Sequence, residues 1–359
     1  SNKQGKLVEN DKILKIGILG AGPIAQFAHF EACRKARNAE LYAICDVAED
    51  LRERMVAIHR PQKVFHDYEK MLEDPALDAV IIAVADSFHV SAATRAIEAG
   101  KHVLVEKPVG ISVDELESIR EMLSQSGVIF QVGHMKRFDP GLVAAKNFIA
   151  QEMGEMLAMK AWYCDSTHRY SMTDAVQPIP IVSDQSIKPS LDPKTDKQKY
   201  YMLAHGSHLV DTARYLAGPI ESLRARFLEK FGAYCWFIDV NFENGGMGHL
   251  DLTVAVRMDW HEGFQIYGEH GSVVGKTFNP WYFKSSEVEC FYEKDQTYKR
   301  VLGADAHFYR LQVEGFADTI LENAPQQGAN FNDGMASIKA MLAIAQSVSS
   351  GETVYLKNL

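Results

Sequence analysis

A glycine-rich turn near the start of the chain has the residue types that bind a diphosphate. An apolar run at residues 15–19 leads into Gly20-Ala21-Gly22-Pro23-Ile24-Ala25, which follows the pattern Gly-x-Gly-x-x-Gly/Ala. The first glycine permits a sharp turn, the second lets the backbone approach a phosphate, and the alanine lets a helix pack closely on the strand. The amides at the start of that helix would face the phosphates, because a helix N-terminus carries about half a positive charge. Dinucleotide contacts are therefore predicted at Gly20, Gly22, Pro23 and Ile24.

A carboxylate follows the next apolar run, where the ribose of a dinucleotide needs a hydrogen-bond acceptor. Asp46 ends the run at residues 41–45 and lies about 20 positions after the glycine-rich turn. A 2′-phosphate about 4 Å from this carboxylate would cost roughly 4 kcal/mol per unit charge at an effective dielectric constant near 20. The sequence therefore predicts NAD rather than NADP as the cofactor, although Arg52 or Arg54 on the next helix offers a cation for a phosphate.

Two further segments carry residues suited to acid/base and electrostatic chemistry. Glu106-Lys107-Pro108 follows an apolar run and places an ammonium at the carboxyl edge of a predicted parallel sheet, where open α/β folds bind ligands. His205 and His208 lie on one predicted helix, and histidine titrates near neutral pH, which suits a general base. Asp211 shares a helix face with His208, so it would either orient that imidazole or serve as a structural partner.

The elements that position these residues are predicted from the hydrophobic pattern. Up to about residue 132, short β-branched runs alternate with helical stretches, which is typical of a parallel sheet with crossover helices. The capping pattern at residues 112–115 predicts a helix over 113–126. The strands are predicted at residues 15–19, 41–45, 64–65, 79–84, 102–105 and 128–132.

The pattern changes after residues 137–140, and antiparallel strands are predicted from there on. A proline-containing stretch at 164–199 has no regular pattern, so we interpret it as a lid, a dimer arm or a solvated insertion. Asn244-Gly245-Gly246 predicts a hairpin between two alternating runs. Helices are predicted to about 152 and at 201–216, 308–321 and 333–348, and strands at 156–163, 221–227, 236–242, 247–256, 264–267 and 288–292.

The predicted fold class is α/β. An N-terminal Rossmann domain with a doubly wound parallel sheet would occupy residues 13–134, after a disordered tail or tag remnant at 1–12. A C-terminal α+β domain, built on a mostly antiparallel open sheet, would bind substrate and form a dimer over residues 135–359. The 164–199 stretch is then an insertion in that second domain.

Composition excludes several classes of partner. The 359 residues are 47% hydrophobic and 24% charged, and a net charge of -9 argues against binding to nucleic acid or to an anionic membrane surface. No apolar run approaches the roughly 18 residues of a membrane span, and no signal peptide is visible. Five scattered cysteines suggest neither a disulfide framework nor a zinc site, so a cytoplasmic protein is expected.

Taken together, the motifs resemble the Gfo/Idh/MocA family of sugar and polyol oxidoreductases over nearly the whole chain. Four segments carry the resemblance: the glycine-rich turn, Glu106-Lys107-Pro108, Arg137-Phe138-Asp139-Pro140 and His208-Leu209-Val210-Asp211. The resemblance implies NAD(P)-dependent hydride transfer at a secondary alcohol, with Lys107 contacting the nicotinamide ribose and the substrate hydroxyl, and His208 as acid/base. It also implies a homodimer or homotetramer and cofactor contacts from Asp46, Val84, Asp86, His89, Glu106 and Lys107.

The chain departs from the family pattern at its second catalytic position. The usual aspartate, four residues before His208, is Ala204 here. Its replacement would be His205, or Asp165 or His168 from the insertion, or Lys107 and His208 would suffice. Two alternatives to a sugar or polyol dehydrogenase remain open: a catalytically silent dinucleotide and sugar sensor, and a sugar-sugar oxidoreductase with tightly bound NAD(P). His205, His208 and Asp211 form at most a partial ligand set, so no metal is predicted.

Overall fold

The computed structural model describes residues 12–359, apart from the side chains of residues 170–172. The predicted N-terminal tail lies outside the described residues, except for Lys12. Contacts divide the chain into two compact units. The first unit contains the chain up to Met135, together with Pro178–Asp192 and His307–Met335, and the second contains Lys136–Gln177, Pro193–Ala306 and Ala336–Leu359.

A six-stranded parallel sheet forms the first unit. Its strands are β1 (Leu14–Leu19), β2 (Ala39–Cys45), β3 (Lys63–Phe65), β4 (Ala79–Ile82), β5 (His102–Val105) and β6 (Phe130–Val132). The strand order is β3-β2-β1-β4-β5-β6, which confirms the predicted doubly wound Rossmann sheet. Because the order changes direction between β1 and β4, a crevice opens at their carboxyl ends, where such sheets bind ligands.

Helices cover this sheet because its strands are apolar on both faces. Val80, Ile81 and Ile82 of β4 are completely buried, as their continuous apolar run predicted. The helices are α1 (Phe30–Lys35) after a π-helical turn (Ala25–His29), α2 (Glu49–His59), α3 (Tyr68–Glu73), α4 (His89–Glu98) and α5 (Val113–Ser124). The Ser112 hydroxyl accepts a hydrogen bond from the Glu115 amide at 3.2 Å, which confirms the predicted cap of α5.

A nine-stranded sheet forms the second unit. Its strands are β7 (Met156–Ser166), β8 (Ile220–Lys230), β9 (Ala233–Phe242), β10 (Met247–Val256), β11 (His261–Gly268), β12 (Gly271–Thr277), β13 (Glu287–Tyr292), β14 (Thr297–Val301) and β15 (Val354–Tyr355). The order is β14-β13-β12-β11-β7-β10-β9-β8-β15, and only β7 and β10 pair in parallel. The mostly antiparallel open sheet is therefore confirmed, as is the hairpin at 244–246, where Gly245 has a φ of 91°.

Residues 164–199 are more ordered than predicted. Strand β7 continues to Ser166, a short helix follows at Arg169–Asp174, and a 3₁₀ turn at Pro193–Thr195 precedes the helix that begins at Lys197. The helices are α6 (Pro140–Gln151), α7 (Arg169–Asp174), α8 (Lys197–Tyr201) and α9 (Ser207–Ala217), with a π-helical turn (Met202–Gly206) before the last. Asp139 caps α6 by accepting a hydrogen bond from the Gly141 amide at 2.9 Å.

Two later segments belong to the first unit although the sequence placed them in the second domain. Helix α10 (Phe308–Glu322) lies in the first unit, where the Asn38 side chain donates to the Glu314 carbonyl at 3.0 Å. Helix α11 (Phe331–Ser350) begins in the first unit and continues in the second. Residues 178–192 are held by the Gln26 side chain. No local sequence pattern indicates that a later segment packs against an earlier unit. Among residues 12–359, no helix is both long and apolar enough to cross a membrane.

Candidate functional site

A cleft of about 690 Å³ opens at the carboxyl ends of β1, β2 and β4 in the first unit. It brings together six of the predicted cofactor contacts: Gly20, Gly22, Pro23, Ile24, Asp46 and Val84. Ser186 and Ile187, from the segment that returns to this unit, line the same cleft. The crevice predicted from the strand order is therefore present, with the glycine-rich turn in its wall.

The two glycines of the turn are needed for different reasons. Gly20 has a φ of 100°, and a Cβ there would lie 2.6 Å from the Ala83 carbonyl oxygen. A Cβ on Gly22 would meet no protein atom within 4 Å. Gly20 is thus required by the backbone itself, whereas Gly22 leaves space, which is what close approach of a diphosphate demands.

Asp46 joins the glycine-rich turn to the end of β2. One carboxylate oxygen accepts a hydrogen bond from the Ala21 amide and the other from the Ala48 amide, each at 2.8 Å. A carboxylate oxygen has a second lone pair, so both oxygens can still accept from ribose hydroxyls. Arg52 donates to the Asp46 carbonyl at 2.7 Å, so its guanidinium lies at the same edge.

Lys107 follows β5, and the residue before it, Glu106, is buried and hydrogen-bonded. One Glu106 carboxylate oxygen lies 2.7 Å from Nε2 of His29, and the other accepts from the Lys107 amide at 3.2 Å. Burial raises the pKa of Glu106, but the hydrogen bond from His29 and the charges of His29 and Lys107 outweigh it, so the pKa is lowered overall. Lys107 itself is half-buried beside this carboxylate.

Asp86 and His89 lie in the helical segments that follow β4. Burial raises the pKa of Asp86, and the positive charges of His89 and Lys107 oppose the rise. The His89 ring bridges two backbone segments, with its nitrogens 2.7 Å from the Pro108 carbonyl and 2.9 Å from the Val84 carbonyl. His89 therefore ties the end of β4 to the Lys107 loop. Cofactor contact stays a prediction for Asp86, His89, Glu106 and Lys107, as it does for the six residues that line the cleft.

In the second unit, the predicted acid/base histidines meet around Tyr163. Nδ1 of His205 lies 3.1 Å from the Tyr163 hydroxyl, and Nε2 lies 3.6 Å from a carboxylate oxygen of Asp165. The ring of His208 stacks on that of Tyr163, with 5.8 Å between centroids and 4° between planes. His205 and Ala204 lie in the π-helical turn before α9, and such turns are frequent at functional sites.

Asp165, one of the candidates for the missing aspartate, thus contacts His205. The carboxylate is buried and forms an ion pair with Arg169, whose Nε lies 2.9 Å from a carboxylate oxygen. Burial raises the pKa of Asp165, and the charge of Arg169 opposes the rise. The other insertion candidate, His168, donates its backbone amide to the Ser166 hydroxyl at 2.9 Å.

A buried ion pair lies next to the ring of Tyr163. Nζ of Lys136 lies 2.6 and 2.5 Å from the two carboxylate oxygens of Glu262, and both side chains are buried. The same ammonium lies 4.7 Å from the centre of the Tyr163 ring, and Trp260 packs edge-on at 5.2 Å. Sequence reasoning missed Lys136 and Glu262, which are 126 residues apart.

Asp211 forms a bidentate pair with Arg137. The two hydrogen bonds measure 2.9 and 2.8 Å, and both side chains are buried. This pair gives Asp211 a structural partner, and its orienting role towards His208 stays a prediction. In the part of the chain that the structure describes, no group of three or more His, Cys, Asp or Glu side chains could hold a metal ion.

A Rossmann unit with a dinucleotide cleft, followed by a unit on an open sheet that carries clustered histidines, defines a two-domain dinucleotide-dependent oxidoreductase. Residues 14–134 match the Gfo/Idh/MocA oxidoreductase family in its NAD-binding Rossmann fold, and residues 196–356 match the family's C-terminal alpha/beta domain. The chain belongs to the Gfo/Idh/MocA family of oxidoreductases, as its motifs predicted.

Similar proteins include inositol dehydrogenases. The scyllo-inositol 2-dehydrogenase (NAD(+)) of Bacillus subtilis (strain 168) is 33% identical over 356 residues, covering 96% of each chain. The myo-inositol 2-dehydrogenase of Thermotoga maritima is 32% identical over 267 residues, covering 72% of this chain and 74% of its own. The structure of levoglucosan dehydrogenase in complex with NADH has the same fold, with a TM-score of 0.78 at 20% identity over 96% of this chain and 99% of that one.

Proposed function

We propose that the protein is an NAD-dependent dehydrogenase acting on a secondary alcohol of a sugar, a cyclic polyol or a sugar derivative. The observation that carries the proposal is the contact of His205 with Tyr163 on one side and Asp165 on the other, beside His208. These are groups that accept and donate protons, as oxidation of an alcohol requires. The similarity to inositol dehydrogenases supports the substrate class.

NAD is the proposed cofactor, held by the glycine-rich turn, Asp46 and Val84. The open space at Gly22 fits a diphosphate, and the Asp46 carboxylate fits the ribose hydroxyls of NAD. The bound nicotinamide supplies the acceptor or donor of hydride. A 2′-phosphate would be repelled by Asp46, which favours NAD over NADP.

Lys107 is the proposed electrostatic partner of the substrate. An alcohol oxygen that is losing its proton gains negative charge, and a fixed ammonium stabilises that charge. The Lys107 ammonium interacts electrostatically with the carboxyl groups of both Glu106 and Asp86.

His208 is the proposed general base, and His205 takes the place of the aspartate missing at Ala204. An imidazole accepts a proton at one nitrogen and releases one from the other. The alcohol proton goes to His208, and His205, which faces Tyr163 with Nδ1 and Asp165 with Nε2, supplies a second acid/base group beside it. Burial raises the pKa of Asp165, so this carboxyl group can share a proton with the His205 ring.

The first test is the formation of NADH, followed by absorbance, with NAD and a panel of inositols, aldoses, sugar acids and anhydrosugars. Turnover with at least one member, and a ketone product at the oxidised carbon, is expected. Binding of NAD without turnover across the panel would contradict the proposal and favour the silent sensor. Purification with bound nucleotide that does not exchange with added NAD would favour the sugar-sugar oxidoreductase. The presence of Ser186 and Ile187 in the cleft wall makes it the second candidate.

We also propose a homodimer or homotetramer formed through one face of the nine-stranded sheet. Phe237 and Val274 on this sheet are 46% and 45% exposed, and Trp162 stacks on His261 at 5.5 Å. An uncovered face with such side chains favours self-association. Sedimentation should give a dimer or larger at micromolar concentration, and a monomer would contradict it. A cytoplasmic location is part of the same proposal, supported by the five scattered cysteines, which suggest no disulfide framework.

A further inference from the structure

Residues Pro178–Asp192, here called the strap, are held against the dinucleotide cleft by one buried side chain. The Gln26 amide nitrogen donates to the Ile181 carbonyl at 2.8 Å, and the Ile181 amide donates to the Gln26 carbonyl oxygen at 2.8 Å. The same Gln26 nitrogen lies 2.9 Å from the Ala21 carbonyl in the glycine-rich turn. Gln26 is 8% exposed, so these bonds lie largely out of water. One side chain therefore joins the strap to the turn.

A second anchor holds the strap at the start of α2. The buried Ser183 hydroxyl donates to the Asp50 carboxylate, and the Gln185 side-chain oxygen accepts from the Glu49 amide at 3.1 Å. The backbone amide of Gln185 donates to the Ser183 hydroxyl at 3.0 Å. The hydrogen bond from Ser183 lowers the pKa of Asp50, which keeps this acceptor ionised. The strap is thus held at two places, the helical turn that follows β1 and the start of the helix that follows β2.

Beyond these anchors the strap enters the wall of the cleft. Ser186 and Ile187 line it together with Asp46 and Val47. The carboxylate after β2 marks the adenosine half of a bound dinucleotide, since it binds the adenosine ribose. The Ile187 side chain is 64% exposed and Val47 is 43% exposed. Two exposed apolar side chains in one cleft provide surface that a bound adenosine would bury.

We propose that Ser186 and Ile187 are dinucleotide-binding residues, and that the anchored strap forms the outer wall of the adenosine half and slows release of the cofactor. This deepens the proposed function and rests on its assignment of NAD to this cleft. Burial of the Ile187 side chain against adenosine supplies affinity, and the bonds to Gln26 and Asp50 keep the strap in place.

The chain offers a matched pair of substitutions to test the wall. Ile187→Ala removes a cleft-lining side chain, and Ile179→Ala removes the same group from a strap residue that is 90% exposed. NADH affinity is measured by fluorescence titration, and NADH release by stopped flow after trapping with excess ADP-ribose. Ile187→Ala should raise the Kd of NADH and of ADP-ribose about five- to tenfold, mostly through faster release. Ile179→Ala should match the wild type, and equal Kd values and release rates for the two variants would overturn the proposal.

Ser183→Ala tests the anchor without altering the cleft wall. It should speed NADH release at least about threefold, with the thermal unfolding midpoint close to that of the wild type. An unchanged release rate would overturn the role of the strap in retention. These measurements use cofactor alone, so their failure is distinct from the failure of the dehydrogenase proposal, which requires the absence of turnover across the alcohol panel.

Discussion

The hydroxyl of Tyr163 lies 3.1 Å from Nδ1 of His205. This contact joins the end of β7 to the π-helical turn before α9, and it occurs one residue after the position where the family usually has an aspartate. A carboxylate oxygen of Asp165 lies 3.6 Å from the other ring nitrogen of His205, Nε2. The missing carboxylate at Ala204 is therefore matched by a buried carboxylate that contacts the neighbouring histidine.

His205→Gln should lower kcat about 10²-fold, because general acid/base catalysis by a positioned side chain contributes roughly 10²- to 10⁴-fold. The double variant Ala204→Asp/His205→Gln should recover at least about tenfold, since it restores a carboxylate at the usual position. Steady-state kinetics at several pH values on an active alcohol from the panel measure both effects. Wild-type activity in His205→Gln would show that His208 suffices without His205.

Alanine substitutions at the two glycines of the turn should separate folding from cofactor binding. Gly20→Ala places a Cβ against the Ala83 carbonyl at a positive φ, so it should lower the free energy of unfolding by about 2 kcal/mol or more. Gly22→Ala should leave stability within about 0.5 kcal/mol and raise the Kd of NADH at least about tenfold, because its Cβ projects into open space. Urea unfolding and NADH titration provide the two readouts, and equal loss of stability in both variants would contradict this assignment.

Asp46→Asn should change the choice of cofactor. The substitution removes the charge that repels a 2′-phosphate and leaves Arg52 at the same edge, so the affinity for NADPH relative to NADH should rise at least about tenfold. The matched control is Glu53→Gln, an exposed acid on α2. Titration of each variant with both nucleotides measures the ratio, and a ratio that does not move would show that Asp46 does not face the ribose.

Stability should fall in acid through the histidine that caps α10. Nδ1 of His307 accepts a hydrogen bond from the Arg310 amide at 3.2 Å, and burial together with the charge of Lys35 lowers the pKa of His307 from 6.5 to about 4. Because the unfolded chain binds this proton at higher pH than the folded one, the contribution is present above pH 6.5 and is lost as the pH falls towards 4. The loss is on the order of 3 kcal/mol.

His307→Asn keeps a capping acceptor that does not titrate, so its unfolding free energy should depend less on pH in this range than that of the wild type. Urea unfolding at several pH values measures the slope. His66→Asn, at an exposed histidine, is the control, and a slope in His307→Asn equal to that of the control would contradict the prediction.

The features that the sequence predicted are those with a local pattern. Strands β1, β4 and β5 are buried on both faces and read as continuous apolar runs, so their positions were predicted to within about two residues. The cap of α5 and the hairpin at 244–246 follow from short motifs. Strand β14, by contrast, was missed because its residues are almost all exposed and show no alternation.

The features that were missed depend on contacts between distant parts of the chain. Gln26 and Ile181 are 155 residues apart, and Tyr163 and His205 are 42 apart. Gln26 was detectable in principle as a polar residue in the buried first turn after the glycine motif. Its partner was not, because a backbone carbonyl and amide can bind such a side chain at any position.

Lys107 provides the most direct test of the proposed dehydrogenase. Turnover of the most active alcohol and the Kd of NADH are measured for the wild type, Lys107→Ala and the exposed-lysine control Lys294→Ala. Lys107→Ala should lose at least about 10²-fold in kcat while still binding NADH, and Lys294→Ala should match the wild type, because only Lys107 would stabilise the developing alkoxide. Undiminished turnover in Lys107→Ala would contradict this role and with it the proposed chemistry.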